Sequence, residues 1–202
     1  MTRRHWYGDA GQAFPIYITV VAGLLFLALA YLAVGQAAVN RSGAQTAADA
    51  AALAAAQNAR DQLVGKWLQD LRDPTTWQDI FDGKVSLDSP CWRADQLAAQ
   101  NDARVDACDP EGLTYEVDVT TNKSVGDSVV PGTEDVKSTA SATAEIESIC
   151  TFKLPGDSAK GDSLPELTCK GKDWKPDPDH QAGLPKPEDL FDVHLVDGQA
   201  ND

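Results

Sequence analysis

Basic side chains are scarce in this sequence, and their scarcity limits what the protein can bind. The chain has 17 lysine and arginine residues against 31 aspartate and glutamate residues, for a formal net charge of −14. Residues 1–60 carry a small positive excess, so the negative charge lies in residues 61–202. Nucleic-acid binding needs lysine and arginine to neutralise phosphates, and an acidic surface repels the phosphate groups. The composition therefore argues against a nucleic-acid partner.

Residues suited to catalysis are also few. The 3 histidines are His5, His180 and His194, and none has a nucleophile at a known motif spacing. The sequence contains no glycine-rich phosphate loop. Asp177 and Asp179 with His180 could touch a metal ion, but a solvated acidic tail is the simpler interpretation. We therefore expect no catalytic residue, no cofactor, no metal site and no small-molecule substrate.

The cysteines have none of the tight Cys-x-x-Cys spacing that zinc sites and thioredoxin-like sites use. There are 4 of them, Cys91, Cys108, Cys150 and Cys169, and all follow the apolar N-terminal run. If the part of the chain after the apolar run lies outside the cytoplasm, as argued below, an even number of cysteines indicates two disulfides. Four cysteines allow three connectivities. Pairing of neighbours, Cys91–Cys108 and Cys150–Cys169, is favoured, and a Cys108–Cys150 bond is the alternative. Each local loop would stabilise the domain by about 3 kcal/mol.

Charge is absent between Asp9 and Arg41, and this gap contains a membrane-spanning pattern. The apolar centre, Ile16–Val34, is long enough to cross a hydrocarbon core about 30 Å thick. Arg3 and Arg4 precede it and the acidic part of the chain follows. The positive-inside tendency then places the N-terminus in the cytoplasm and the C-terminal domain outside the cell membrane. We expect a single-pass signal-anchor.

A cleaved secretory signal is the alternative interpretation of this run. Small residues around Ala28-Leu29-Ala30 and Gly35 would suit a signal peptidase. The apolar run is longer than the usual signal core, however, and it continues without a break into a helical pattern.

An alanine-rich segment follows the membrane run and predicts a long helical stalk that ends at Asp73-Pro74. Small residues recur along two adjoining lines of this helix and would let another helix approach closely, from this chain or from a neighbouring subunit. We predict these residues as the helix-packing and assembly surface: Ala44, Ala47, Ala48, Ala51, Ala52, Ala55 and Ala56. High helix propensity alone is the alternative explanation. Leucine at Gln57 or Gln62 should have a mild effect if those residues face water.

The remaining sequence predicts an α+β fold. A helix is predicted from Ser89-Pro90 to about Asn101, and alternating strands at Thr114–Thr120 and Val136–Phe152. The strands should form one small antiparallel sheet on the helix base, with Glu145 and Glu147 on its solvent face. Its core should be covered by three aromatic residues, Trp77, Phe81 and Trp92.

The chain therefore divides into a long transmembrane-plus-stalk helix, a small disulfide-bonded domain with an antiparallel sheet, and a disordered acidic tail. The expected boundaries are 1–12 for a cytoplasmic segment, 13–39 for the transmembrane helix, 40–73 for the stalk helix, 74–169 for the α+β domain and 170–202 for the tail. Within the tail, Glu188–Val196 could dock on a partner as a short element.

Two N-terminal motifs resemble the TadE/TadG-like Flp pilus-assembly family. Gly8-Asp9-Ala10-Gly11-Gln12 precedes the membrane run, and Arg41-Ser42-Gly43-Ala44-Gln45-Thr46-Ala47-Ala48-Asp49-Ala50-Ala51-Ala52-Leu53-Ala54 follows it. The resemblance covers residues 8–57, with a weaker similarity at Val136–Ala144. Ile16 stands where prepilins cut after Gly11 carry glutamate, and the Asp-x-Ser-x-Ser motif of the larger adhesive members is missing.

The resemblance implies a pseudopilin-like structural component of a Tad pilus or secretion apparatus, which contacts other pilus-assembly subunits in the membrane. The alternative is a cell-surface binding domain on a helical stalk, unrelated to pili. Neither is an enzyme.

Overall fold

The computed structural model describes residues 13–124, 135–154, 164–180 and 183–196. The expected cytoplasmic segment at 1–12 and the last residues of the expected tail, 197–202, lie outside these ranges. The elements described below belong to this part of the chain.

One long helix, α1, runs without a break from Ala13 to Gln69. It joins the predicted membrane span to the predicted stalk, because alanine and leucine favour helix throughout and the next proline is Pro74. At 1.5 Å per residue the helix is about 85 Å long. The long continuous helix expected from the sequence is confirmed.

Seven strands and three short helices follow α1. The helices are α2 (Trp77–Phe81), α3 (Cys91–Gln100) and α4 (Pro187–Leu190). The strands are β1 (Ala103–Glu111), β2 (Thr114–Thr121), β3 (Thr139–Ser148), β4 (Cys150–Phe152), β5 (Leu167–Cys169), β6 (Lys172–Trp174) and β7 (Phe191–Val196). They form an antiparallel four-stranded sheet in the order β1-β2-β3-β7 and a three-stranded sheet in the order β4-β5-β6. The α+β class with an antiparallel sheet is confirmed.

The core lies between α1 and the four-stranded sheet. Alternate residues of β2 and β3 point inward, among them Val117, Val119 and Ala144, each with 0% exposure. Alanines of α1 meet alanines of β3, and small side chains on both surfaces let the helix backbone approach the sheet closely. The C-terminal end of α1 is packed by larger groups: the rings of Trp67 and Trp77 meet edge to face with centroids 5.6 Å apart.

Both disulfides have the predicted local pairing. Cys91–Cys108 joins the start of α3 to β1, and Cys150–Cys169 joins β4 to β5. The first bond therefore fixes α3 to the four-stranded sheet, and the second cross-links two adjacent strands of the three-stranded sheet.

Three details of the fold differ from the sequence predictions. Trp77 and Phe81 are buried as expected, but Trp92 is 57% exposed, because its ring points out of α3 and stacks with the guanidinium of Arg93. The predicted strand over 136–152 is divided, since the chain changes sheet at Ile149 between β3 and β4.

The third difference concerns the region after residue 169, where a disordered tail was expected. Residues 172–174 form β6, and residues 187–196 form α4 and β7, which pairs with β3. Leu190 and Phe191 are 0% and 1% exposed, so a short apolar segment anchors this acidic, proline-rich region to the core. The predicted short element at 188–196 exists, but it docks on the sheet of its own chain.

Candidate functional site

The first third of α1 is an apolar surface that the rest of the described chain leaves uncovered. None of its most apolar stretch is buried by the described residues. Phe26 and Tyr31, for example, are 71% and 83% exposed. The run Ile16–Val34 measures about 28 Å along the helix axis, which matches a hydrocarbon core. The helix is therefore long enough and apolar enough to cross a membrane.

The helix becomes part of the domain at Ala44, where its side chains first become fully buried. Between Val34 and Ala44 lies about 15 Å of helix at 1.5 Å per residue. If Ile16–Val34 occupies the bilayer, this end of the domain faces the lipid headgroups.

A groove of about 640 Å³ lies at this junction between α1 and the base of the sheet. Tyr31, Leu32 and Val39 form its apolar side, while Asn101 and Lys123 belong to its polar side. The Lys123 ammonium is 2.9 Å from the carboxylate of Asp102. The groove therefore has apolar side chains on its α1 wall and polar side chains on the wall that the domain supplies.

The alanines predicted as the helix-packing surface are all 0% exposed in the chain itself: Ala44, Ala47, Ala48, Ala51, Ala52, Ala55 and Ala56. They are covered by β2, β3 and α3 of the same chain. The small residues do permit close packing, but their partner in this structure is mainly a sheet. Contact of these alanines with another subunit stays a prediction. It would require β2, β3 and α3 to separate from α1.

The acidic residues near His180 do not form the ligand cluster considered from the sequence. The His180 ring nitrogen Nδ1 lies 2.7 Å from Asp177 Oδ2, whereas Asp179 pairs with Arg72 at 2.9 Å. The backbone amide of Asp179, followed by the His180 side chain, lowers the pKa of Asp177.

Two other sites in the described part of the chain have shifted pKa values. A hydrogen bond donated by Lys84 lowers the pKa of Asp82 and raises that of the lysine. Burial raises the pKa of the Tyr115 phenol, whose ring belongs to the core.

His194, in contrast, lies beside two carboxylates, and sequence reasoning missed this cluster. Ligand atoms of His194, Asp192 and Glu147 all lie within 4.8 Å of one another. The alternation in Glu145–Glu147 and Asp192–His194 was a usable signal, but the pairing of the two segments depends on the sheet topology. Glu145 and Glu147 are both exposed, as predicted.

A membrane-length apolar helix, continuous with a stalk on which a disulfide-bonded α+β domain is packed, defines a membrane-anchored protein. The family model for the TadE/G-like Flp pilus-assembly domain matches residues 11–58. This segment includes the membrane run and most of the buried alanines, so the resemblance seen over residues 8–57 is confirmed. The chain has no significant match among curated proteins or among solved structures.

Proposed function

We propose that the protein is a pseudopilin-like structural component of a Tad pilus-assembly or secretion apparatus. It would be anchored in the cell membrane by α1, with its N-terminus in the cytoplasm and its domain outside, and would act by packing α1 against helices of other subunits. The observation that carries the proposal is the exposed apolar run Ile16–Val34 inside the segment that matches the pilus-assembly family.

The position of the domain restricts where such packing can occur. From Ala44 to Trp67 the inner side of α1 is already buried by the sheet, α3 and α2. Before Ala44 most described side chains are exposed, and none is buried in the most apolar stretch of the helix. We therefore expect helix contacts with other subunits to lie in the membrane segment and directly above it.

Site-specific photo-crosslinking in cells that assemble the apparatus tests this function. A photoreactive phenylalanine analogue replaces Phe26 or Tyr31 on the exposed helix, and Trp92 on the exposed side of α3 as a matched control. All three sites are exposed aromatic residues, so each replacement changes volume and polarity little.

The expected result is a crosslink from Phe26 or Tyr31 to other proteins of the Tad apparatus, and a weaker one from Trp92. Crosslinks from Trp92 alone would contradict helix packing and favour the alternative, a binding domain carried on a stalk. The absence of crosslinks to Tad proteins from all three sites, in cells with an assembled apparatus, would contradict the proposed function.

A further inference from the structure

Strands β3 and β7 bring four potential metal ligands to one face of the four-stranded sheet. In the antiparallel register, Glu147 lies directly opposite Asp192, and Glu145 lies opposite His194. Because alternate strand residues share a face, all four groups project away from the core, where Ile146 and Phe191 are each 1% exposed. Two residues from each strand thus form a square patch of three carboxylates and one imidazole.

The distances within this patch suit a single small cation. Nδ1 of His194 is 3.7 Å from Oδ2 of Asp192, and a carboxylate oxygen of Glu147 lies within 4.8 Å of both ligand groups. Zinc bonds of about 2.0–2.2 Å to nitrogen and oxygen place tetrahedral ligands about 3.3–3.6 Å apart. Shifts of about 1 Å would therefore close the set, and all three side chains are at least partly exposed.

Among the described residues, carboxylates outnumber basic groups in this patch. Like charges directly opposite each other on neighbouring strands are destabilising, and Glu147 and Asp192 are such a pair. The ammonium group of Lys170 lies 3.4 Å from Oδ1 of Asp192. The other oxygen of this carboxylate, Oδ2, is the one that lies near His194. Among the described residues, Glu145 and Glu147 form no ion pair and Lys170 pairs with Asp192 alone, so a divalent cation would offset the negative charge of this patch.

We propose that Glu147, Asp192 and His194 form a zinc-binding site, with Glu145 as a neighbouring carboxylate. An imidazole with carboxylates is a ligand set typical of zinc, whereas magnesium and calcium prefer oxygen ligands alone. Three protein ligands leave the fourth tetrahedral position to water. The bound ion would join β7, the last strand of the sheet, to β3.

Zinc titration of the full chain in detergent tests the site by calorimetry, with zinc chloride as the probe. We expect one saturable zinc ion per chain and at least about a tenfold loss of affinity in His194→Ala and in Glu147→Gln. His180→Ala is the matched control, because this histidine also pairs with an aspartate at 2.7 Å but belongs to no three-ligand group among the described residues. It should bind zinc as the wild type does.

Thermal unfolding supplies a second readout. Zinc should raise the Tm of the wild type and of His180→Ala but leave that of His194→Ala unchanged, since a ligand that binds only the folded state stabilises it. Glu147→Gln keeps the side-chain volume at an exposed position and so reports on the site even if His194→Ala folds poorly. Unchanged affinity in His194→Ala and Glu147→Gln, or no saturable binding below about 1 mM zinc, would overturn the proposal.

Discussion

Gln62 on α1 and Asp88 in the loop before α3 form a reciprocal pair of hydrogen bonds. The Gln62 amide donates to the Asp88 carbonyl oxygen at 3.0 Å, and the Asp88 backbone N–H donates to Gln62 Oε1 at 2.8 Å. The side chain thus binds the loop much as a neighbouring strand would. Gln62 is half-buried, because the loop from α2 to α3 returns along this side of the helix. Gln57, the other glutamine considered as water-facing, is exposed.

Replacing Gln62 by leucine should destabilise the domain by about 1–2 kcal/mol, since two neutral hydrogen bonds are lost and the loop backbone groups must return to water. Gln57→Leu should change the free energy of unfolding by less than about 0.5 kcal/mol. Urea unfolding of both variants checks the difference, and equal stabilities would show that the loop contact contributes nothing.

Gly83→Ala should destabilise the fold more than Gly112→Ala. Both glycines have positive φ angles, 69° and 61°, so both substitutions carry a backbone penalty of about 1–2 kcal/mol. At Gly83 an added Cβ would also lie 2.6 Å from Cδ2 of Leu113, whereas at Gly112 it meets nothing within 4 Å. The clash should add about 1–3 kcal/mol. Thermal unfolding of the pair isolates this packing contribution, and identical Tm values would mean that Leu113 moves aside without cost.

Loss of either disulfide should lower stability by about 3 kcal/mol, since each bond closes a loop of similar length in the unfolded chain. Peptide mapping without reduction should recover the linked pairs Cys91–Cys108 and Cys150–Cys169. The double variants Cys91→Ala/Cys108→Ala and Cys150→Ala/Cys169→Ala remove one bond each without leaving a free thiol. A peptide linking Cys108 to Cys150 would contradict the observed pairing.

Ala48→Leu distinguishes a buried helix face from an assembly surface. Ala48 is 0% exposed beneath the sheet, so leucine should overpack the core and cost about 1–3 kcal/mol. Ala38→Leu, on the exposed part of the same helix, should leave the unfolding of the domain unchanged. If Ala48→Leu instead kept full stability and lost co-purification with Tad subunits, the alanine face would be the assembly surface predicted from the sequence.

The proposed orientation is tested by labelling the cysteines on intact cells. After mild reduction, a membrane-impermeant thiol reagent should modify Cys91 and Cys108, because Arg3 and Arg4 favour a cytoplasmic N-terminus and an external domain. A variant with all four cysteines replaced by alanine gives the background. Labelling that occurs only after cell lysis would reverse the orientation and contradict an oxidising environment for the disulfides.

The features that could be predicted from the sequence are those determined by neighbours along the chain. The charge-free run Ile16–Val34, the alanine-rich stretch and Pro74 together specify a continuous helix that ends near Gln69. Period-two alternation located β2 and most of β3, and closeness in sequence gave the correct disulfide pairs. Strand β1 was not predicted, because its charged residues, Pro110 and the irregular pairing at Val105–Ala107 obscure the alternation.

Only the tertiary structure decided what covers the alanine face and where the C-terminal segment goes. Small residues at a four-residue spacing permit close approach of any flat surface, and the pattern alone does not distinguish a helix of another subunit from the chain's own sheet. Likewise, Glu147 and His194 are distant in sequence and meet only because β7 pairs with β3 in one particular register. A sequence pattern determines which side of an element is apolar or small, whereas the partner of that side depends on long-range pairing that no local pattern encodes.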